Sequence, residues 1–456
     1  MESATGTTNT SNAKISLGEK LAYASGDVAF SIYWNLFAIY LLFFYTDIFG
    51  ISAAAAGTLF LVTRVWDSLS TPFMGIIADR TQSRWGKFRP WLLWGSLPLC
   101  ILCVLGFTTP DLSATGKLIY AYSTYLLMVT LFTMTNIPYS ALLGVMTPNT
   151  HERNLISSYR FVGAFGGALI VQLSLLPLVS LFGQGNPQWG FSSALGVYGI
   201  FAICLLVITF LLTRERVHPP PQTVSIRQDL KDLTSNGPWL ILFAVSFLTM
   251  TYFSMRHSST LFYFKYYVGN ASLSTLFLAG GSLFMIFGTL MTQPLVRRFD
   301  KARLFASLLL VDGLLMGLFY FAQPDDYALI FGLHFAAMLF VGPSIAMLWA
   351  MYGDTADYSE WRTRRRATAL VYSAAVFAQK MGAAIGAALV GWGLSWYRFQ
   401  PNMEQTPETL EGIRRVISIY PSAMSFIAAA VVIFYPLEPA VMEKIECKLA
   451  LRKQQR

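Results

Sequence analysis

Charge is what this sequence is short of. Asp, Glu, Lys and Arg make up 12% of its 456 residues, against roughly 25% in soluble domains. That deficit excludes an ordinary soluble enzyme. Cysteine and histidine are scarce too, with four of each. Cys100-Ile-Leu-Cys103 has a CxxC spacing, but no His pair or second CxxC accompanies it. Its setting is apolar, so the pair reads as packing and not as metal or redox chemistry. There is no Walker loop, no zinc-type His pair and no nucleophile elbow. No enzyme activity, catalytic residue, metal or cofactor is expected.

Hydrophobic residues supply the balance, at 55% of the chain. Apolar runs of about 20 residues span a bilayer as helices. Twelve such runs start near Val28, Ala54, Pro90, Leu118, Ser158, Leu195, Trp239, Leu273, Leu304, Ala328, Thr368 and Ile417. The reading is an all-α integral membrane protein, with membrane lipid as its surroundings. The net charge of +9 sits in short loops between the runs. Topology explains that placement, and nucleic acid binding is not expected.

Twenty-four Lys and Arg fall on one side of the predicted topology and five on the other, with Arg64, Arg160, Arg256 and Lys380 inside spans. The richer side is cytoplasmic by the positive-inside rule, which places both termini there. Residues 1–16 are polar, lack a basic n-region and cleavage site, and read as a disordered cytoplasmic tail without a signal peptide. Residues 17–213 and 239–438 form two six-helix bundles. The longest polar interruption, 214–238, carries three prolines and joins them. After those prolines a short surface helix is possible. Residues 439–456 are a second cytoplasmic tail.

The halves echo each other weakly. Thr71-Pro72 precedes Asp79-Arg80, and Gln293-Pro294 precedes Arg297-Arg298-Phe299-Asp300-Lys301 at the equivalent turn. Paired halves of this kind build many secondary transporters. The turn residues Asp79, Arg80, Arg84 and Lys87 read as a cytoplasmic gate, or as topogenic charge alone. Asp354, Asp357 and Glu360 end span ten beside Arg362 and Arg364–Arg366. They read as its counterpart, or as a solvated loop.

Charge inside a membrane is costly and marks function by default. Asp67, Ser70 and Thr71 share a helix face by their spacing. One carboxylate and two hydroxyls suit a hard monovalent cation or a proton, and Thr133 in span four can complete the set. Alternatively, Arg64 and Asp67 form a structural pair. Asp27 is an interfacial cap or a functional group. Asp312 has no visible partner. Arg256 lies among Tyr252, Phe253 and His257, the mixture of donors and aromatic faces that a sugar site needs. Tyr33 and Trp34 are candidate aromatics for the same cavity.

Six segments carry a resemblance: YTDIFG (45–50), RVWDSLSTP (64–72), RWGKFRPW (84–91), NIPYSAL (136–142), YRF (159–161) and DTADYSEW (354–361). They resemble the glycoside–pentoside–hexuronide:cation symporters, the melibiose permease group of the major facilitator superfamily, from about Leu17 to Pro439. The resemblance implies twelve helices in two pseudo-symmetric bundles, alternating access, and symport of a small-molecule glycoside with H⁺, Na⁺ or Li⁺. It implies that Asp67 is the first cation carboxylate and Thr133 a hydroxyl ligand. Arg160 and Lys380 match cations that organise the substrate site. A second cation carboxylate is replaced here by Thr71, and an Asn by Ser70. Sugar-binding carboxylates fall at Ser31 and Asn136, and a stacking Trp at Ser140.

These departures point away from galactosides and toward H⁺ over Na⁺. With fewer carboxylates, Arg160 and Arg256 make the site more positive, which favours an anionic glycoside; a neutral xyloside or glucoside stays open. The resulting expectation is a monomeric bacterial inner-membrane symporter. Its substrate contacts are Tyr33, Trp34, Asn136, Arg160, Arg256 and Lys380. A lysolipid symporter of the same fold and a non-transporting sugar sensor are the alternatives.

Overall fold

A bilayer offers backbone N–H and C=O groups no partner except each other, so apolar runs become uninterrupted helices. A computed structural model describes residues 15–147, 149–216, 233–363, 368–437 and 439–454. Its long helices are α1 (Leu17–Ile48), α2 (Ala53–Arg80), α3 (Arg89–Gly106), α4 (Ala114–Met146), α5 (Thr150–Gly183) and α6 (Pro187–Leu212). There follow α7 (Gly237–Tyr267), α8 (Leu273–Leu290), α9 (Lys301–Phe319), α10 (Tyr327–Thr363), α11 (Thr368–Trp396) and α12 (Pro407–Val432). A final helix, α13, covers Pro439–Gln454. The N-terminal tail before Ile15 and the suggested surface helix after the interbundle prolines lie outside the described residues.

Eleven helices among the described residues are long and apolar enough to cross a membrane. The twelfth is α2. Its 28 residues are long enough, about 42 Å at 1.5 Å per residue. Arg64, Asp67, Asp79 and Arg80 dilute its apolar character.

Four helices start well before the apolar runs that announce them. Ser16 caps α1, its Oγ accepting from the Glu19 amide at 3.2 Å. Asn186 caps α6, and Thr406 caps α12, while α5 begins at Thr150. Hydropathy marks where lipid begins, whereas a side-chain oxygen over the first free amides marks where the helix begins. Asp27 consequently lies ten residues inside α1, about 15 Å from its start, and is not a cap.

Equivalent helices in the two halves share small devices. On α5, Gly163 and Gly167 lie against the main-chain carbonyls of Ala24 and Val28 on α1. On α11, Gly382 and Gly386 lie in the same way against Phe247 and Thr251 on α7. A Cβ at any of the four would meet carbonyl oxygen within 3.0 Å, so only glycine lets the backbones approach this closely. Helices α1 and α7 also end alike. Each closes in a five-residue π-turn, Phe44–Ile48 and Tyr263–Tyr267. Each is then stopped by a left-handed glycine, Gly50 at φ +83° and Gly269 at φ +80°.

By packing, the described residues divide into two compact units. The first draws on Met1–Leu36, Leu69–Asp111 and Ile119–Pro221. The second draws on Phe37–Ser68, Leu112–Leu118 and Gln222–Arg456.

Candidate coupling and sugar sites

In the second unit α2 and α11 cross where both are smallest. Gly57 lies against Ala388 and Gly391, and Gly391 against Ala53 and Gly57. Moving ten residues along α2 and eleven back along α11 reaches Asp67 and Lys380. Lys380 Nζ is 3.1 Å from Asp67 Oδ2, and Arg64 Nη1 is 3.9 Å from the same oxygen. The Asp67 side chain is 2% exposed. Ser68 holds the crossing from the adjacent position, donating to the Arg64 carbonyl at 2.9 Å and lying 3.8 Å from Met381 Sδ. The Arg64–Asp67 pair therefore exists, and Lys380 completes it from another helix. Two positive charges face one carboxylate. Ser70 and Thr71 follow on α2, half-buried. Thr133 is buried on α4 in the first unit.

The first unit holds its own charged cluster. Asp27 on α1 accepts from both edges of the Arg160 guanidinium on α5, Nε at 2.5 Å and Nη2 at 3.2 Å. Tyr139 Oη on α4 is 2.8 Å from Asp27 Oδ2. Arg160 also lies over the rings of Tyr23 and Tyr139, at 5.5 and 5.2 Å. Gly163 and Gly167, just beyond Arg160, bring α5 close enough for this bidentate contact. The Arg160 side chain keeps 25% of its surface exposed, so it can meet a polar solute without giving up Asp27. Asn136 lies one turn before Tyr139, half-buried. On α1, Trp34 is half-buried and Tyr33 fully buried.

Arg256 is placed differently from a sugar ligand. It is 4% exposed, with Nη1 at 3.6 Å from Asp312 Oδ1 and Nη2 bonded to His334 Nδ1 at 2.6 Å. Its charge is committed inside the second unit.

Among the expected gating residues, Lys301 Nζ reaches Asp354 at 2.8 Å, tying the start of α9 to α10. Asp357 and Glu360 follow on α10, half-buried. Arg362 Nη1 donates to the Ser235 carbonyl at 2.8 Å. Arg364–Arg366 lie outside the described residues, as does the side chain of Asp79. Arg80 is exposed. The turn from Arg84 to Arg89 is fixed by a residue sequence reasoning passed over. Glu215 accepts main-chain amides of Lys87, Phe88 and Arg89 at 2.8, 2.8 and 3.0 Å. Arg84 lies over Trp85, its Cζ 4.6 Å from the ring centroid. Beyond the described spans, Arg216 forks onto Glu19 at 2.7 and 2.8 Å, and those bonds push its guanidinium above the usual arginine range.

Also missed was the joint between the two π-turns. Lys265 Nζ lies 2.7 Å from Asp47 Oδ1 and 2.6 Å from Asn402 Oδ1, and Tyr266 bonds the same carboxylate. Counting intramembrane charges would have found the other pairs. Each of Asp27, Asp67 and Asp312 needs a basic partner in a spanning helix, and Arg160, Arg64 with Lys380, and Arg256 provide them.

Comparison with known proteins identifies the family and the fold. Residues 22–439 match the family described as MFS/sugar transport protein. The chain is similar to the putative glycoside/cation symporter YagG of Escherichia coli, 37% identical over 438 residues, covering 96% of this chain and 95% of that one. It is also similar to the isoprimeverose transporter of Lactiplantibacillus pentosus, 33% identical over 442 residues, covering 95% and 92%. Among solved structures, a bacterial homolog of the human lysosomal transporter Spinster superposes with TM-score 0.66 at 15% identity, over 93% of this chain and 98% of that one, which shows the fold. The chain belongs to the glycoside–pentoside–hexuronide:cation symporters of the major facilitator superfamily, and is a membrane transporter rather than an enzyme.

Proposed function

We propose that this transporter imports a neutral glycoside together with a proton, and that Asp67 binds the coupling cation. The observation that carries the reading is the buried Asp67 carboxylate with Lys380 at 3.1 Å and Arg64 at 3.9 Å. Any cation arriving there competes with a tethered ammonium. A sodium ion needs several oxygens in place of its water, whereas a proton needs one. A single carboxylate therefore suits the proton better than it suits sodium.

Neutral substrate follows from the other two clusters. An anionic glycoside was favoured on the expectation that Arg160 and Arg256 stand with few carboxylates. Asp27 and Asp312 balance them instead. Arg160, still partly exposed, offers donors for sugar hydroxyls without a net positive charge around it. The Lys/Arg bias supports both termini lying in the cytoplasm, and relatives from bacteria support the inner membrane.

Uptake by proteoliposomes tests this. Isoprimeverose and a panel of neutral and uronic glycosides are offered with pH and Na⁺ gradients imposed separately. Accumulation of a neutral glycoside under the pH gradient alone is expected. Asp67→Asn should keep counterflow but lose accumulation, because exchange needs no net cation movement. Accumulation driven by Na⁺ alone, or full accumulation by Asp67→Asn, overturns the proposal.

A further inference from the structure

Asp312 has no assigned task in cation or sugar binding, yet it is among the most deeply buried carboxylates described, at 1% exposure. Every helix around it turns a polar group inward. Arg256 and Tyr252 come from α7, His334 from α10 and Ser425 from α12. His257, next to Arg256, lies against Phe253 at 4.3 Å. Leu309, one turn earlier on α9, contributes its main-chain carbonyl.

Asp312 accepts from Tyr252, but the rest of the cluster's hydrogen bonds are left unmatched with Asp312 ionised. A structural Arg–Asp pair is normally a fork, with two short parallel bonds. Here the nearest approach is 3.6 Å, and both Arg256 Nη1 and Asp312 Oδ1 lack a hydrogen-bond partner. His334 Nε2, the third such atom, points at Gly281, where any Cβ would collide with it. Leaving buried polar atoms unmatched costs about 1–3 kcal/mol each. Nδ1 of His334 accepts from Arg256, so the imidazole carries its proton on Nε2 and is neutral. Ser425 has a single hydroxyl proton, and its shorter contact is with the Leu309 carbonyl, 2.9 Å away. Its Oγ is 3.4 Å from Asp312 Oδ2. Two acceptor oxygens facing each other gain nothing. A proton on Oδ2 turns that contact into a donor–acceptor pair, with Ser425 keeping its own bond to Leu309.

A cavity of about 20 Å³ borders Tyr252, with Thr249, Ser344 and Gln379 among its lining residues. That volume admits one water, and Tyr252 bridges from it to Asp312.

We infer that Asp312, Arg256, His334 and Ser425 form a second proton-binding site, separate from Asp67, in which Asp312 Oδ2 takes the proton and Ser425 Oγ accepts from it. In the loaded state Arg256 remains bonded to His334. In the unloaded state it compensates the carboxylate. Burial of a group that changes charge makes each conformation favour one protonation state, which is what coupling a proton to a conformational cycle requires. The link to sugar movement rests on the symporter reading above; the proton site itself does not.

The test is an infrared titration of the protein in lipid, with no glycoside present. Acidification from about pH 9 to about pH 5 should grow a protonated-carboxyl band. The band should be missing in Asp312→Asn and retained in Asp67→Asn. A wild-type spectrum indistinguishable from that of Asp312→Asn overturns the site. Should Asp312→Asn fail to fold, Ser425→Ala serves: loss of the acceptor should move the band, and an unmoved band overturns the assignment.

Counterflow of isoprimeverose then tests the coupling. Beyond the titration of a required proton the wild-type rate falls about tenfold per pH unit, and Asp312→Asn should flatten that limb. An unchanged pH profile in Asp312→Asn removes the site from the transport cycle. Absence of any wild-type glycoside counterflow removes the glycoside reading and leaves the infrared result standing.

Discussion

Lys380 Nζ lies 3.1 Å from Asp67 Oδ2, closer than the Arg64 guanidinium on Asp67's own helix. On the proposal that Asp67 binds the coupling cation, the ammonium stands where that cation would bind and acts as a tethered competitor. Removing a neighbouring charge changes a carboxylate's affinity for a proton or cation by about 10- to 1,000-fold. Lys380→Gln should therefore bind the coupling cation at least tenfold more tightly and release it more slowly. Counterflow should persist while net accumulation falls. Calorimetric titration and transport under both gradients check this. Unchanged cation affinity would show that the lysine is not a competitor.

How much of this was legible beforehand depended on sequence separation. The spacing of Arg64 and Asp67, three apart on an apolar helix, announced their pair directly. The Asp67–Lys380 contact bridges 313 positions, and no local pattern encodes it. The nearest sequence signals are the small residues around Gly57 and Gly391, which permit the crossing without naming its register. Spans were readable from hydropathy because lipid enforces it, but caps at Ser16, Asn186 and Thr406 lie outside lipid and move the helix starts. Asp27 was misplaced toward a helix end for that reason. Glu215 sits between two arginines in a polar stretch, where its role as an acceptor for three amides leaves no periodic trace.

Asp27 and Arg160 should behave as one unit. Breaking a buried pair by removing one partner costs about 3–5 kcal/mol, and less where solvent reaches it. With Arg160 partly exposed, Arg160→Gln or Asp27→Asn should cost about 2 kcal/mol in the stability of the detergent-solubilised protein. The double variant should recover most of that loss, because no unpaired charge remains. If the pair also holds the sugar, glycoside affinity stays low in all three. Thermal melts and binding measurements separate the two effects. Additive losses in the double variant would rule out the pairing.

The matched ends of α1 and α7 offer a clean backbone test. Gly50 and Gly269 have φ of +83° and +80°. Nothing lies within 4 Å of a Cβ at Gly269, and only Lys117 Nζ, at 3.7 Å, lies near one at Gly50. Alanine at either site therefore pays for left-handed backbone and little else, about 1–2 kcal/mol. Equal destabilisation of the two single variants is expected by thermal melting. A much larger loss at Gly50 would point to the neighbouring Asp47–Lys265 joint instead.

Glu215 fixes the α2–α3 turn through three main-chain amides. Its Oε1 accepts from Phe88 and Arg89, and its Oε2 from Lys87. Free amides at a helix start attract negative charge, and a cap of this kind contributes about 0.5–2 kcal/mol. The site leaves no room to spare, since a Cβ on Gly86 would strike the carboxylate. Glu215→Gln keeps an oxygen for Phe88 and Arg89 but turns an NH₂ toward the Lys87 amide, so donor faces donor. It should cost about 1 kcal/mol, and Glu215→Ala about 2 kcal/mol, because all three amides then lose their partner. The change should register locally as faster proteolysis between Arg84 and Arg89 and faster amide exchange in the first turn of α3. Asp67 lies thirteen residues before the end of α2 and Lys380 lies on α11, both away from that turn, so cation affinity should not change. Loss of cation affinity in Glu215→Gln, with normal protection at α3, would mean that the turn acts on coupling rather than on the anchoring of α3.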